Sequence, residues 1–255
     1  VVSVIFACLA IYMFAIFKKE IRQFFSSLIG YMAVTVFLLV LGLFIWVFPD
    51  TNVLDFGYAT LDSLFYIAPY IFIFLIPAIT MRSFAEEISN GTIETLSTRP
   101  VTEMQIILGK YFAALLLVLI AILPTFIYFY SLYALASPVG NVDVGGILGS
   151  YFGLMFLGAV FVAIGIFCSS VTSNQIVAFI GGVFLCFFLY IAFSYLSQFS
   201  SFIGKADYYI ELMGLDAHYN AMGKGVIDSR DVVYFLSVIT VFIYLTRTAL
   251  ARRRW

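Results

Sequence analysis

Residues 82–110 read RSFAEEISNGTIETLSTRPVTEMQIILGK. This is a long polar island set between apolar runs. It holds four glutamates, Glu86, Glu87, Glu94 and Glu103, and a Gly-Thr turn at Gly91-Thr92. On either side of it the chain is far too apolar for a water-soluble domain. Over 255 residues 64% are hydrophobic and 11% are charged, with a mean hydropathy of +1.09. Soluble domains are roughly half apolar and about a quarter charged. The composition therefore gives an all-α polytopic membrane protein. The net charge of −1 offers nothing to nucleic acid.

A helix needs about 20 apolar residues to cross a bilayer. Six runs qualify: 29–48, 63–81, 106–136, 147–168, 175–197 and 232–248. The third is too long for a straight crossing, and Pro124 is the natural place for it to kink. The fourth carries Gly149, Gly153, Gly158 and Gly165, and small residues let helices approach closely. Cys8, Cys168 and Cys186 lie in apolar runs with no metal-ligand spacing and read as small core residues. Tyr128, Tyr130 and Tyr133 near one span end, and Tyr190 and Tyr195 near another, suit an interfacial aromatic belt.

Basic residues set orientation. With the N-terminus in the cytoplasm, the inner side holds Lys18, Lys19, Arg22, Arg82, Arg99, Lys110, Arg247, Arg252, Arg253 and Arg254. The outer side holds Lys205, Lys224 and Arg230, a balance of 10 against 3. Both termini are expected inside. Residues 1–12 lack an initiator Met and a basic n-region, so Met13 is the expected natural start and 1–12 an upstream extension or anchor. From there FAIFKKEIRQFFSSLIGY interleaves bases with aromatics, as an amphipathic helix in the inner interface does.

With Lys110 and Arg247 counted at the inner side, no span interior contains an ionisable residue. Ion-coupled carriers usually keep one there, so an ATP-independent carrier or channel ranks second and an intramembrane enzyme third. His218 cannot form a metal cluster alone, and with Glu211 and Asp216 near it reads as part of a solvated loop. Neither Gly109-Lys110 nor Gly223-Lys224 completes a phosphate-binding GxxxxGK[ST] loop. If ATP drives this protein, another subunit binds it.

Within the polar island, Ser83-x-x-Glu86 has capping-box spacing and Asn90-Gly91 is a stop signal. Thr92 is placed to cap a second short helix carrying Ile93, Glu94 and Leu96. Pro100 disfavours helix at Arg99, and Thr102-x-x-Gln105 is a further capping box opening the third span. The island reads as helix, turn, helix: an ordered element able to dock.

These residues resemble the inner loop of ABC-2 type transporter permeases, which reads E-E, then G-T-x-E-x-L, then P-V-T and L-G-K. Here the matching positions are Glu86-Glu87, Gly91-Thr92, Glu94, Leu96, Pro100-Val101-Thr102 and Leu108-Gly109-Lys110. PVGNVDVGG from Pro138, VAIGIFCSSVTSNQIVAF from Val162 and HYNAMGKGVIDSRDVVYFLSVI from His218 resemble, more narrowly, the gliding-motility-associated (GldF-type) permease subunits.

The resemblance implies a six-span, non-catalytic permease over 13–255 in the bacterial inner membrane, with an interfacial N-terminal helix. It implies pairing with a second permease subunit, identical or not, and with ABC ATPase subunits that bind ATP and Mg; membrane lipid surrounds it. The loop 82–110 is then the ATPase-coupling element, with Glu86, Glu87, Gly91, Thr92, Ile93, Glu94, Leu96 and Pro100 as its working residues. The polar segment 198–231 becomes an outer lid with His218, Asp228, Arg230 and Asp231 as candidates. Asp228 and Asp231 also suit the N-terminus of the last span. A tag inserted at about residue 54 is expected to be reached from outside intact cells; protection there would invert the orientation.

Overall fold

The computed structural model describes residues 2–49, 51–54, 59–92, 101–199, 207–225 and 228–252. Among these there is no strand, and the helices follow the apolar runs. Helix α1 is Val2–Ser26, α2 Leu28–Trp46, α3 Asp62–Thr80 and α4 Arg82–Ser89. Helix α5, Glu103–Ile122, leads through a 3₁₀ turn at Leu123–Thr125 into α6, Phe126–Leu135. Helix α7 is Val144–Val171, and α8, Gln175–Phe187, continues through a π turn at Phe188–Ala192 into α9, Phe193–Ser197. Two short helices, α10 (Asp207–Glu211) and α11 (Leu215–Met222), precede α12, Ser229–Ala251.

Among the described residues five of these stretches are long and apolar enough to cross a membrane alone, and the bent pair α1–α2 makes a sixth if the two helices form one span. The protein is thus an all-α, multi-pass membrane protein. The long third span bends at Pro124, as its length required. The turn's polar groups are satisfied locally: Thr125 Oγ1 donates to the Ile122 carbonyl, and Tyr151 Oη donates to the Thr125 carbonyl at 3.0 Å.

Helix α1 is continuous through Met13, so the boundary expected there is not a break in the backbone. From Met13 onward its partly or fully buried residues, Met13, Ile16, Phe17, Glu20, Ile21, Phe24 and Phe25, recur at helical spacing, while Lys18, Lys19, Arg22 and Gln23 are exposed. That is an amphipathic stripe. The chain then turns by 68° into α2. Ser27 is extended at the corner, and a side chain at Gly30 would strike the Phe24 carbonyl at 2.8 Å.

Alternation of the spans gives the bundle a basic end, holding α1, α4 and the start of α5, and a far end holding α10 and α11. Helix α7 is the central post, packed against α3, α4, α5, α8, α11 and α12. Its glycines face different neighbours. A Cβ at Gly149 would collide with the Met222 carbonyl, one at Gly153 would lie 3.1 Å from the Tyr219 ring, and one at Gly158 would lie 2.9 Å from Val118. One at Gly165 would collide with Thr80 Oγ1. Overpacking such a contact costs about 1–3 kcal/mol. Gly165→Ala is therefore expected to lower the melting temperature in detergent, and adding Thr80→Ala to recover part of the loss. A melting point unchanged by Gly165→Ala would refute this close approach.

Candidate functional site: a buried charge cluster beneath α4

Helix α4 begins one residue after α3 ends, and its first turn is buried at Ser83, Phe84 and Ala85. The first amide hydrogens of a helix have no partner within it. Here Ser169, fully buried on α7, accepts from the Phe84 and Ala85 amides at 2.9 and 3.0 Å. It donates to the Met81 carbonyl at 2.9 Å. The capping box expected at Ser83-x-x-Glu86 is therefore not the device used. The N-cap position falls on Met81, whose side chain cannot accept, and the cap comes from 85 residues away.

The stop signal works as read. Asn90 is the C-cap and Gly91 takes φ +67°, the left-handed conformation that suits glycine. Thr92 Oγ1 donates to the Glu87 carbonyl at 3.3 Å. Ile93, Glu94, Leu96 and Pro100 lie outside the described residues. Past them, the capping box at Thr102 is formed, with the Thr102 amide donating to Gln105 Oε1 at 2.7 Å.

Under α4 sits a charge cluster that the sequence reading did not assemble. Lys110, one full turn or more into α5, is only 3% exposed. Its ammonium reaches Glu20 Oε1 of α1 at 2.8 Å, Glu87 Oε1 of α4 at 3.0 Å and the Ser83 carbonyl at 2.7 Å. Two of these contacts, to Glu20 and the Ser83 carbonyl, are hydrogen bonds and the third is an ion pair, and the ammonium also lies 5.1 Å from the Phe84 ring centre. Lys19 completes the cluster from the exposed side, 3.1 Å from Glu87 and 3.9 Å from Glu20. Gly109 makes the contact possible, since a Cβ there would lie 3.0 Å from Ile16 of α1.

The Glu87 carboxylate turns inward to two lysines of its own chain, because burying Lys110 without counter-charges would cost several kcal/mol. Glu87 Oε2 is buried without a partner. It borders a cavity of about 180 Å³ between α1 and α4, which Glu86, Asn90 and Arg82 also line. Glu86 itself is part-exposed. The residues missed were Glu20, Lys110 and Ser169. Glu20 carried a signal, being the sole acid in α1 and standing on its inward stripe; Ser169 carried none.

At the far end, α11 packs on α7 over Gly149 and Gly153, and Tyr219 Oη donates to the Phe65 carbonyl of α3 at 2.8 Å. Asp228 caps α12 by accepting from the Arg230 amide at 2.9 Å, and Arg230 is exposed. Asp231 and His218 are both buried and paired. His218 is therefore not the solvated loop residue its polar neighbours suggested. Among the described residues no group of three acids, histidines or cysteines is arranged to hold a metal ion.

A family model described as ABC-2 family transporter protein matches residues 14–254. No curated protein matches the chain.

Lys110→Met leaves Glu20 and Glu87 buried without their cation, a loss of about 3–5 kcal/mol where a buried pair is broken on one side. A large fall in melting temperature is expected. The triple change Lys110→Met/Glu20→Gln/Glu87→Gln should recover much of it. Lys19→Ala, on the exposed side, should cost about 1 kcal/mol or less. Equal effects of Lys110→Met and Lys19→Ala would dismiss the cluster as a structural centre.

Proposed function

Because the chain belongs to the ABC-2 transporter family, it is the membrane permease component of an ABC transporter, and that family pairs with an ABC ATPase; we propose that α4 and the residues after it, 85–97, are where the ATPase docks. The observation that carries this reading is the double anchorage of α4. Its first turn hangs on Ser169 of α7, and its last turn is tied through Glu87 to Lys110 of α5 and Glu20 of α1. A helix joined to three neighbours and ending in a tight glycine turn is suited to receive a push and pass it on.

In this reading ATP and Mg are held by the ATPase, whose closure displaces α4. With Glu87 engaged internally, Glu86 and Glu94 are the carboxylates offered to basic residues of the ATPase, and Ile93 and Leu96 are the apolar anchors. An exposed ion pair contributes only about 0.2–1 kcal/mol, so the anchors carry most of the docking. The basic end faces the cytoplasm of a bacterial inner membrane, with both termini there. The exposed apolar faces of α8 and α12 meet lipid and a second permease subunit. The segment 198–231 serves as the outer lid in this reading. What supports reading the complex as a gliding-associated one is the resemblance of 138–146, 162–179 and 218–239 to those permeases.

Co-purification in mild detergent with the ATPase tests this. Wild type should retain it, and Ile93→Asp/Leu96→Asp should lose it with an unchanged melting temperature. Glu86→Gln should weaken capture by no more than about fivefold. Full capture by the double variant would move the docking surface elsewhere.

A further inference from the structure

His218 is the sole histidine of the chain, and both of its ring nitrogens are engaged. Nδ1 lies 2.7 Å from Asp231 Oδ1 in the first turn of α12. Nε2 lies 2.9 Å from the carbonyl oxygen of Leu212, in the turn between α10 and α11. A backbone carbonyl can only accept. Asp231 stands in the first turn of α12, where its carboxylate faces the open amide end of the helix, and it accepts too. A neutral imidazole has one N–H and would set a lone pair against an oxygen on its other side. The ring of Tyr234 lies flat against the imidazole, 3.9 Å between centres at 22°, a face that favours a cation.

We infer that His218 is held as an imidazolium, that its two N–H groups clasp the α10–α11 turn to the start of α12, and that losing one proton opens the clasp. The charged neighbours leave this task to one pair. On α11 itself, Asp216 is taken by Ser194 at 3.1 Å and Asn220 at 2.8 Å. Glu211 precedes Leu212 on the α10 side, and Lys224 follows α11. On α12, Asp228 caps the helix and Arg230 is exposed. Helix α7, packed along the other side of α11, has no charged residue in its sequence, and Asp143 just before it caps Gly146. The π turn, which also packs on α11, contributes Tyr190. Tyr234 Oη donates to the Met213 carbonyl, so the same turn has a second, pH-insensitive tie to α12. The clasp is fully formed while the ring is protonated and is weakened as pH rises. One hydrogen bond to a charged group weights that equilibrium by about tenfold or more.

A single histidine makes the test direct. Protein labelled with ¹⁵N-histidine and carrying a histidine-free tag gives the ring signals of residue 218 alone. Two protonated nitrogens are expected at pH 6, converting to one at higher pH. A nitroxide on Leu212→Cys, the residue whose carbonyl faces Nε2, with Cys8, Cys168 and Cys186 replaced by alanine, should gain mobility over the same pH interval. In His218→Gln it should be mobile at every pH. Should that variant fold poorly, Asp231→Asn, which removes the anionic acceptor at Nδ1, serves instead and should likewise free the nitroxide. A neutral ring at pH 6, or a mobility profile unchanged by either substitution, would overturn the inference.

Discussion

A lysine ammonium buried at the foot of α5 fixes how the basic end of this protein is built. Lys110 is almost without solvent; it donates to Glu20 on α1 and to the Ser83 carbonyl on α4 and pairs with Glu87 on α4. Moving any one of those helices away uncovers a charge in a medium that cannot solvate it. The mutual register of α1, α4 and α5 therefore depends on this contact more than on the apolar packing around it. Hydrophobic surfaces tolerate small slides, whereas two charge-assisted hydrogen bonds and an ion pair at one nitrogen do not.

The same end is joined to the rest of the bundle through α7. In a membrane there is little hydrophobic drive between helices, so close backbone approach and van der Waals contact hold them together. Helix α7 supplies this along its length, facing α11 through Gly149 and Gly153, α5 and α3 through Gly158, and Thr80 through Gly165. Because these contacts point in several directions, α7 cannot rotate to relieve one without striking another. It is the rigid element between the charge cluster and the His218 clasp.

Much of this was legible in the chain. Apolar length gave the spans, Pro124 gave the bend in the third, and Asn90-Gly91 gave the end of α4, because each is a local rule. The capping boxes divide instructively. At Thr102 the box forms because the chain enters the helix from an extended residue. At Ser83 it cannot, since α3 runs almost directly into α4 and leaves no extended N-cap. Glu87 was legible as a charge but not as an inward one, because the lysines that claim it lie 68 and 23 positions away in sequence. His218 looked solvated for a similar reason: the polarity of its neighbours in sequence says nothing about the ring of Tyr234 or the carbonyl of Leu212. The residues 93–100, on which the docking anchors fall, are outside the described structure, and for them the sequence pattern is the whole argument.

The two anchors of α4 are unequal, and the inequality decides how it can move. Ser169 offers neutral hydrogen bonds, worth about 0.5–1.5 kcal/mol each, whereas the bonds at Lys110 join charged groups and are stronger. Opening the first exposes amides that nearby carbonyls or water can meet at the membrane edge; opening the second strands buried charge. A force applied to α4 therefore keeps Glu87 on Lys110 and yields first at Ser169. The helix then carries α1 and the foot of α5 with it and shears against α7. If the ATPase docks at α4 as proposed, α1 moves with it, fastened by a lysine that belongs to neither helix.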